Sequence, residues 1–338
     1  MDLDGDGIPD LISGSWPGEI FFFKGKGKGD FAPPVKLKDK SGKTINVGGG
    51  LRKDGGDWFL VAGDATFETK DKKTYILYEG ERIEVPEGKQ GGITGTASAV
   101  HAVDWDGDGR LDLLVGDIGG NVYLLRNEGT KQKYAFGKER QLTAGGKPLR
   151  VNGDAGPFAC DWDGDGKLDL LVGSGDGSVW FYRNVGKGKE PELAAGVQLV
   201  PPGEARYGPD APKEPRRGVR AKVCAVDFNG DGRLDLLVGD FATQRPARPE
   251  PTAKEKAEQD KLRKELEGVQ GRYQELYQKL HGPSRVKAKE ERDKLEKEFQ
   301  KEMQRMSEIR GKLPQDYENH GWVWLFLRKP AAAKAAAR

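Results

Sequence analysis

Residues 161–173 read DWDGDGKLDLLVG, four aspartates within nine positions followed by an abrupt apolar run. The same pattern returns as DLDGDGIPDLISG at 2–14, DWDGDGRLDLLVG at 104–116 and DFNGDGRLDLLVG at 227–239. Self-similarity of this kind marks a repeat architecture, so fold and chemistry have to be read together. In each copy the acids stand at positions 1, 3, 5 and 9, with Asn229 in the fourth copy the one substitution and still an oxygen donor, and glycines at 4 and 6 permit backbone angles that other residues avoid. Alternating placement in a sharply bent loop brings the carboxylates toward one centre. Four such charges repel one another unless a cation joins them.

Hard oxygen donors on a flexible glycine loop suit Ca²⁺ better than Mg²⁺, which demands stricter octahedral geometry. The carbonyl at position 7 supplies a further oxygen. The expected ligand sets are Asp2, Asp4, Asp6, Ile8 and Asp10; Asp104, Asp106, Asp108, Arg110 and Asp112; Asp161, Asp163, Asp165, Lys167 and Asp169; and Asp227, Asn229, Asp231, Arg233 and Asp235. That makes about four Ca²⁺ ions. The loop begins like an EF-hand loop, but Leu170, Leu171 and Val172 stand where the closing glutamate would be, so position 9 closes the set. A plain turn between strands needs only one or two such residues. The ions are expected to brace the loops, and no catalytic residue is assigned.

After each loop comes a short apolar strand, a glycine turn and a second, aromatic-rich strand: GEIFFFK at 18–24, GNVYLLRN at 120–127 and GSVWFYRN at 177–184. An apolar lead-in such as GPFAC at 156–160 and a weaker trailing segment such as GVQLV at 196–200 complete about four strands per unit of about 57 residues. That is the size of a β-propeller blade. The fold class expected is therefore all-β, a propeller of about five four-stranded blades.

The pattern resembles the FG-GAP/VCBS-type repeat, which builds the Ca²⁺-loop propeller blades of integrin α-chain heads and of many secreted bacterial proteins. Among bacterial members it most resembles repeat proteins whose last blade carries a charged helical insertion. The resemblance covers most of 1–248 and implies Ca²⁺ held at the rim of the propeller. The Phe-Gly before Gly-Ala-Pro motif that names the family is absent here, so no adhesion-receptor function carries over.

Two segments break the rhythm. Between the first two loops, DWFLVAGD at 57–64 and TYILYEG at 74–80 keep paired strands, but only Asp54 and Asp57 remain of an acidic loop, giving a degenerate blade around 50–95 or a hairpin inserted in the first blade. Near the other end, proline-rich QRPARPEPT at 244–252 precedes a charged stretch, and the missing strand GWVWLFLR arrives only at 321–328. Apolar residues at Leu262, Leu266, Val269, Tyr273, Leu276 and Leu280, then Leu295, Phe299, Met303, Met306 and Leu313, predict two helices packed antiparallel across the break HGPS at 281–284. The expected division is propeller repeats over 1–248, a coiled-coil hairpin over 249–318, a closing strand over 319–330 and a disordered tail over 331–338. Exposed hairpin residues such as Tyr277 offer an arm for a protein partner.

No apolar run approaches the roughly 18 to 20 residues needed to span a bilayer, and no secretory signal opens the chain. The first repeat starts at residue 2 without its lead-in, so a missing beginning is expected, and weak Ca²⁺ sites fill best in a periplasmic, cell-surface or secreted setting. Cys160 and Cys224 occupy equivalent lead-in strands and read as buried free thiols. No nucleophile elbow, phosphate loop or zinc pair appears, and the three histidines, His101, His281 and His320, are scattered. The function expected is non-enzymatic binding of a protein or glycan, with a polysaccharide lyase or hydrolase as the alternative. Trp16, Trp105, Trp162 and Trp180 are the aromatics able to stack on sugars, although Trp105 and Trp162 share a loop position that favours packing between blades. The formal net charge is +2, and filling four sites would raise it to about +10, which favours acidic glycans over nucleic acid, for which no reader motif is present.

Overall fold

The computed structural model describes residues 1–47, 50–54, 57–61, 66–70, 73–78, 81–85, 91–94, 99–204, 206, 210–281, 286 and 288–329. The chain is mostly β, with several antiparallel sheets and two helices, and it divides into two compact units. One holds Met1–Ala205, Arg216–Ala242 and Asn319–Arg338; the other holds Arg206–Pro215 and Thr243–Glu318.

In the first unit each acidic loop leads directly into a strand. Ala99–Val103, Asp112–Gly116, Val122–Leu125 and Arg140–Gln141 form one antiparallel four-stranded sheet. Gly156–Cys160, Asp169–Gly173, Val179–Tyr182 and Val197–Val200 repeat it in the same order. The last sheet pairs Val219–Val226 with Asp235–Gln244, and both Glu318–His320 and Val323–Phe326 lie against the latter. In the first, Leu11–Gly14, Ile20–Phe23 and Val35–Lys36 make three strands.

Strand alternation explains how one motif serves two cores. Along Asp112–Gly116, Leu113 and Val115 pack with Ile12, Ile20 and Phe22 of the preceding sheet, while Leu114 packs with Leu170 and Val172 of the next. One step later Leu171 and Val179 join Ala221, Leu236 and Val238. Successive side chains point to opposite faces, and a strand buried on both faces therefore reads as a continuous apolar run. Complete burial of each such leucine contributes about 1.5–3 kcal/mol. The glycine closing the run serves the same packing: a Cβ on Gly116 or Gly173 would lie 2.1 Å from the carbonyl oxygen of Ala155 or Ala221.

Residues 50–94 depart from the repeat. Their described strands form two three-stranded sheets, and in one of them Gly91–Thr94 runs parallel to Asp57–Val61. Asp54 and Asp57 are register partners in the antiparallel pairing of Gly50–Asp54 with Asp57–Val61. Among the described residues these strands do not repeat the four-stranded antiparallel order of the other sheets.

In the second unit, helix α1 (Ala253–His281) starts at a capping box in which Glu255 accepts the Thr252 N–H at 2.7 Å and its own N–H reaches the Thr252 hydroxyl. Helix α2 (Lys289–Lys312) runs antiparallel to it, as the pairs Arg272–Glu298 at 2.8 Å and Arg305–Glu265 at 2.9 Å require. Val269, Leu276, Leu280 and Ile309 are buried, and the Tyr273 and Phe299 rings stack at 4.7 Å. Ile309 falls outside the apolar series read from the sequence, whereas Met303 from that series is exposed. The sequence 331–338 lies outside the described residues.

Candidate metal loops

The four loops share one internal hydrogen-bond scheme. The position-1 carboxylate accepts the backbone N–H groups of positions 5 and 6: Asp2 from Asp6 and Gly7, Asp104 from Asp108 and Gly109, Asp161 from Asp165 and Gly166, Asp227 from Asp231 and Gly232, all at 2.8–3.1 Å. The position-5 carboxylate in turn accepts the N–H of position 7, from Ile8, Arg110, Lys167 and Arg233. This wrapping needs φ from 69° to 87° at the glycines of positions 4 and 6, the left-handed region that side chains disfavour. Position 9 is buried in every copy: Asp112, Asp169 and Asp235 open the following strand, and Asp10 immediately precedes it.

The folding of the loop brings the acids together. One oxygen from each of Asp2, Asp4 and Asp6 lies within 4.8 Å of the others, and the same holds for Asp104, Asp106 and Asp108 and for Asp161, Asp163 and Asp169. In the fourth loop Asn229 donates its side-chain amide to Asp231 at 3.0 Å. Burial pushes the Asp112 carboxyl up to about 6 and raises that of Asp169, because an ionised group loses its water there. Lys24 has the opposite effect on Asp6, holding it below the usual carboxylate range by a hydrogen bond at 2.6 Å.

Two observations bear on whether a cation fits. Asp112 is 2% exposed, and its Oδ2 has no hydrogen-bond partner although its Oδ1 accepts the Asn127 N–H at 2.7 Å; Asp4 Oδ1 is likewise buried and unpartnered. An anionic oxygen buried without a partner is costly unless a cation satisfies it. Protein cations already lie against these clusters: Lys24 bonds Asp4 and Asp6, Arg126 bonds Asp106, and Arg183 Nε lies 2.6 Å from Asp163. An all-oxygen donor set carrying excess negative charge fits Ca²⁺.

Other sequence candidates resolve differently. Trp105 is buried among Leu114, Leu170 and Tyr182 in the core between two sheets, so it offers no sugar platform. The guanidinium of Arg328 lies 4.8 Å from the Trp162 ring centroid, and Trp16 is exposed. His101 packs at 4.6 Å against Phe158, where burial lowers its basicity. His320 stacks on Trp322. Both cysteines are free, but Cys224 is exposed, correcting the expectation that both are buried; only Cys160 is partly covered, with its thiol pushed up to about 12 by burial. Alternate residues of an outer strand face solvent, and Cys224 takes such a position.

Sequence reasoning missed two asparagines. Asn127 and Asn184, buried at the end of the second strands, each accept two backbone N–H groups, from Gly129 and Ala135 and from Gly186 and Glu192. Their signal is the recurring RNxG of residues 126–129 and 183–186.

Residues 161–238 match the family model described as the FG-GAP-like repeat, which supports an FG-GAP-type repeat protein. No curated protein matches it significantly. Among solved structures, the chain is similar to a lectin of Agrocybe aegerita that recognises non-reducing terminal N-acetylglucosamine, at 18% identity and a TM-score of 0.28 over 71% of this chain and 61% of the lectin. It is also similar to TcdB2-TccC3 without its hypervariable C-terminal region, at 17% identity and a TM-score of 0.28 over 70% of this chain and 13% of the other. These likenesses are too slight to bear on fold or ligand.

Proposed function

We propose that this chain is a Ca²⁺-binding, non-enzymatic binding module. Its acidic-loop sheets act as propeller blades, their loops hold about four Ca²⁺ ions, and loop-bearing surfaces engage a protein or glycan outside the cytoplasm. The observation that carries the reading is the convergence of acid oxygens within 4.8 Å in three loops of one shared scheme. The buried, unpartnered Asp112 Oδ2 supports it. Ca²⁺ held there would supply the charge that offsets the oxygens of positions 1, 3, 5 and 9, while the chain contributes the turn that presents them. In the second unit, the charged hairpin serves as an arm for a protein partner. Among the described residues no helix is long and apolar enough to cross a membrane.

The test is a thermal unfolding scan in EDTA and in Ca²⁺ up to millimolar, at matched ionic strength and with Mg²⁺ in parallel. A site at a hundredfold excess over Kd stabilises by about 2.7 kcal/mol, so several filled sites raise Tm strongly. Asp163→Ala should reduce that rise. No rise, together with metal analysis finding no bound Ca²⁺, would overturn the reading. A glycan array with and without chelator then separates glycan from protein ligands, and reducing-sugar release from acidic polysaccharides would contradict the non-enzymatic part.

A further inference from the structure

The position-9 aspartates fix a correspondence between repeats that the sequence alone leaves loose. Each accepts one backbone N–H from the end of its sheet's second strand: Asp10 from Gly25, Asp112 from Asn127, Asp169 from Asn184 and Asp235 from Arg328, at 2.7–2.8 Å. The residues one step earlier are therefore equivalent: Lys24, Arg126, Arg183 and Leu327. In three repeats this residue is basic and reaches the position-3 acid, with Lys24 on Asp4, Arg126 on Asp106 and Arg183 on Asp163. In the fourth, both members change together: the acid is Asn229 and the base is Leu327, whose side chain is exposed. Elsewhere the scheme is intact, since Asp227, Asp231 and Asp235 keep their bonds.

We propose that Lys24, Arg126 and Arg183 are tethered counter-cations, which hold their loops together at low divalent-ion concentration and compete with the incoming ion. The loop 227–235 has exchanged both charges at position 3 and keeps only Arg233 on Asp231, a pair that Arg110 and Asp108 form in the second loop as well, so it takes its ion without the position-3 competitor. The physical reason is that a cation within hydrogen-bonding distance offsets one of several crowded like charges, and a second cation entering the same cluster gains less from what remains. Two classes of site follow from one repeat. This inference rests on the Ca²⁺ reading above.

The test uses the full chain and two readouts. Tb³⁺ replaces Ca²⁺ as the probe, because Trp105 and Trp162 stand at position 2 of their loops and can sensitise its emission. In the double variant Arg126→Leu/Arg183→Leu the Tb³⁺ affinity should rise about tenfold, and the gain should shrink at 1 M salt. In EDTA, Arg183→Leu alone should lower Tm, whereas Asp163→Asn/Arg183→Leu, which copies the fourth loop, should restore it; the cycle isolates the pair from other effects of each change. Arg183→Gln serves in place of the leucine variant if that fails to fold. Unchanged or weaker Tb³⁺ binding in the double arginine variant would overturn the competition, and additive effects in EDTA would overturn the tie. A wild-type chain without sensitised emission overturns the metal reading and the competition with it, while the EDTA cycle still reports on the tie.

Discussion

The strands Asp169–Gly173 and Asp235–Gln244 begin with the same five residues, DLLVG, yet they do not live in the same surroundings. In the first every residue is buried, and Gly173 lies so close to Ala221 that a methyl group has no room. In the second, Leu237 is half-buried, and a Cβ on Gly239 would approach the Lys222 carbonyl oxygen no closer than 3.7 Å. Beside it, Val323, Leu325 and Leu327 are exposed. Burial is thus conferred by the neighbouring sheet and not by the motif, as expected of repeats that contact their neighbours only.

This difference can be broken by substitution. The largest effect is expected for Leu171→Ala, which leaves a cavity at a fully buried site and should cost about 2–5 kcal/mol; Leu325→Ala, on the exposed face, should cost far less when both are followed by urea unfolding. Equal losses would mean that the face of the last sheet is covered in solution. Next comes Gly173→Ala, expected to cost about 1–3 kcal/mol or more through overpacking, with Gly239→Ala mild in the same assay.

The position-9 acids sharpen the comparison further. Because burial raises the Asp112 carboxyl to about 6, Asp112→Asn relieves the cost of a buried charge; in EDTA it should leave Tm nearly unchanged or higher, yet remove part of the Ca²⁺-dependent rise. A large drop in EDTA would instead make Asp112 a structural anion. The smallest effect is expected from deleting 250–316 and bridging with a short turn. Since the hairpin belongs to a separate compact unit, the sheets should unfold with nearly unaltered Tm, and their collapse would show that the helices complete the core.

Much of this was legible in the sequence because each feature has a local cause. Asp and Gly spacing specifies the loops, apolar runs specify strands such as Leu113–Val115, and the stripe from Leu262 to Leu280 specifies α1. What was not legible depends on partners distant in the chain. Nothing near Arg183 announces that it faces Asp163, because the strand returns to the loop only through sheet pairing. The parallel pairing of Gly91–Thr94 with Asp57–Val61 leaves no periodic signal, and Ile309 owes its burial to the helix facing it. The exposure of Cys224 reflects the same rule as Leu325, a face whose covering is not encoded in its own strand.

The long detour inside the last sheet also sets a clock on the ribosome. Leu237 pairs with Leu325, about 90 residues later, and at about 5–20 residues per second this strand waits roughly 5 to 18 seconds for its partner during synthesis. Meanwhile its free edge offers unpaired backbone groups to any passing strand. The α1 and α2 helices, whose contacts are nearer in sequence, can close first and draw the two ends of the detour together, so that the insertion shortens the search its own length creates.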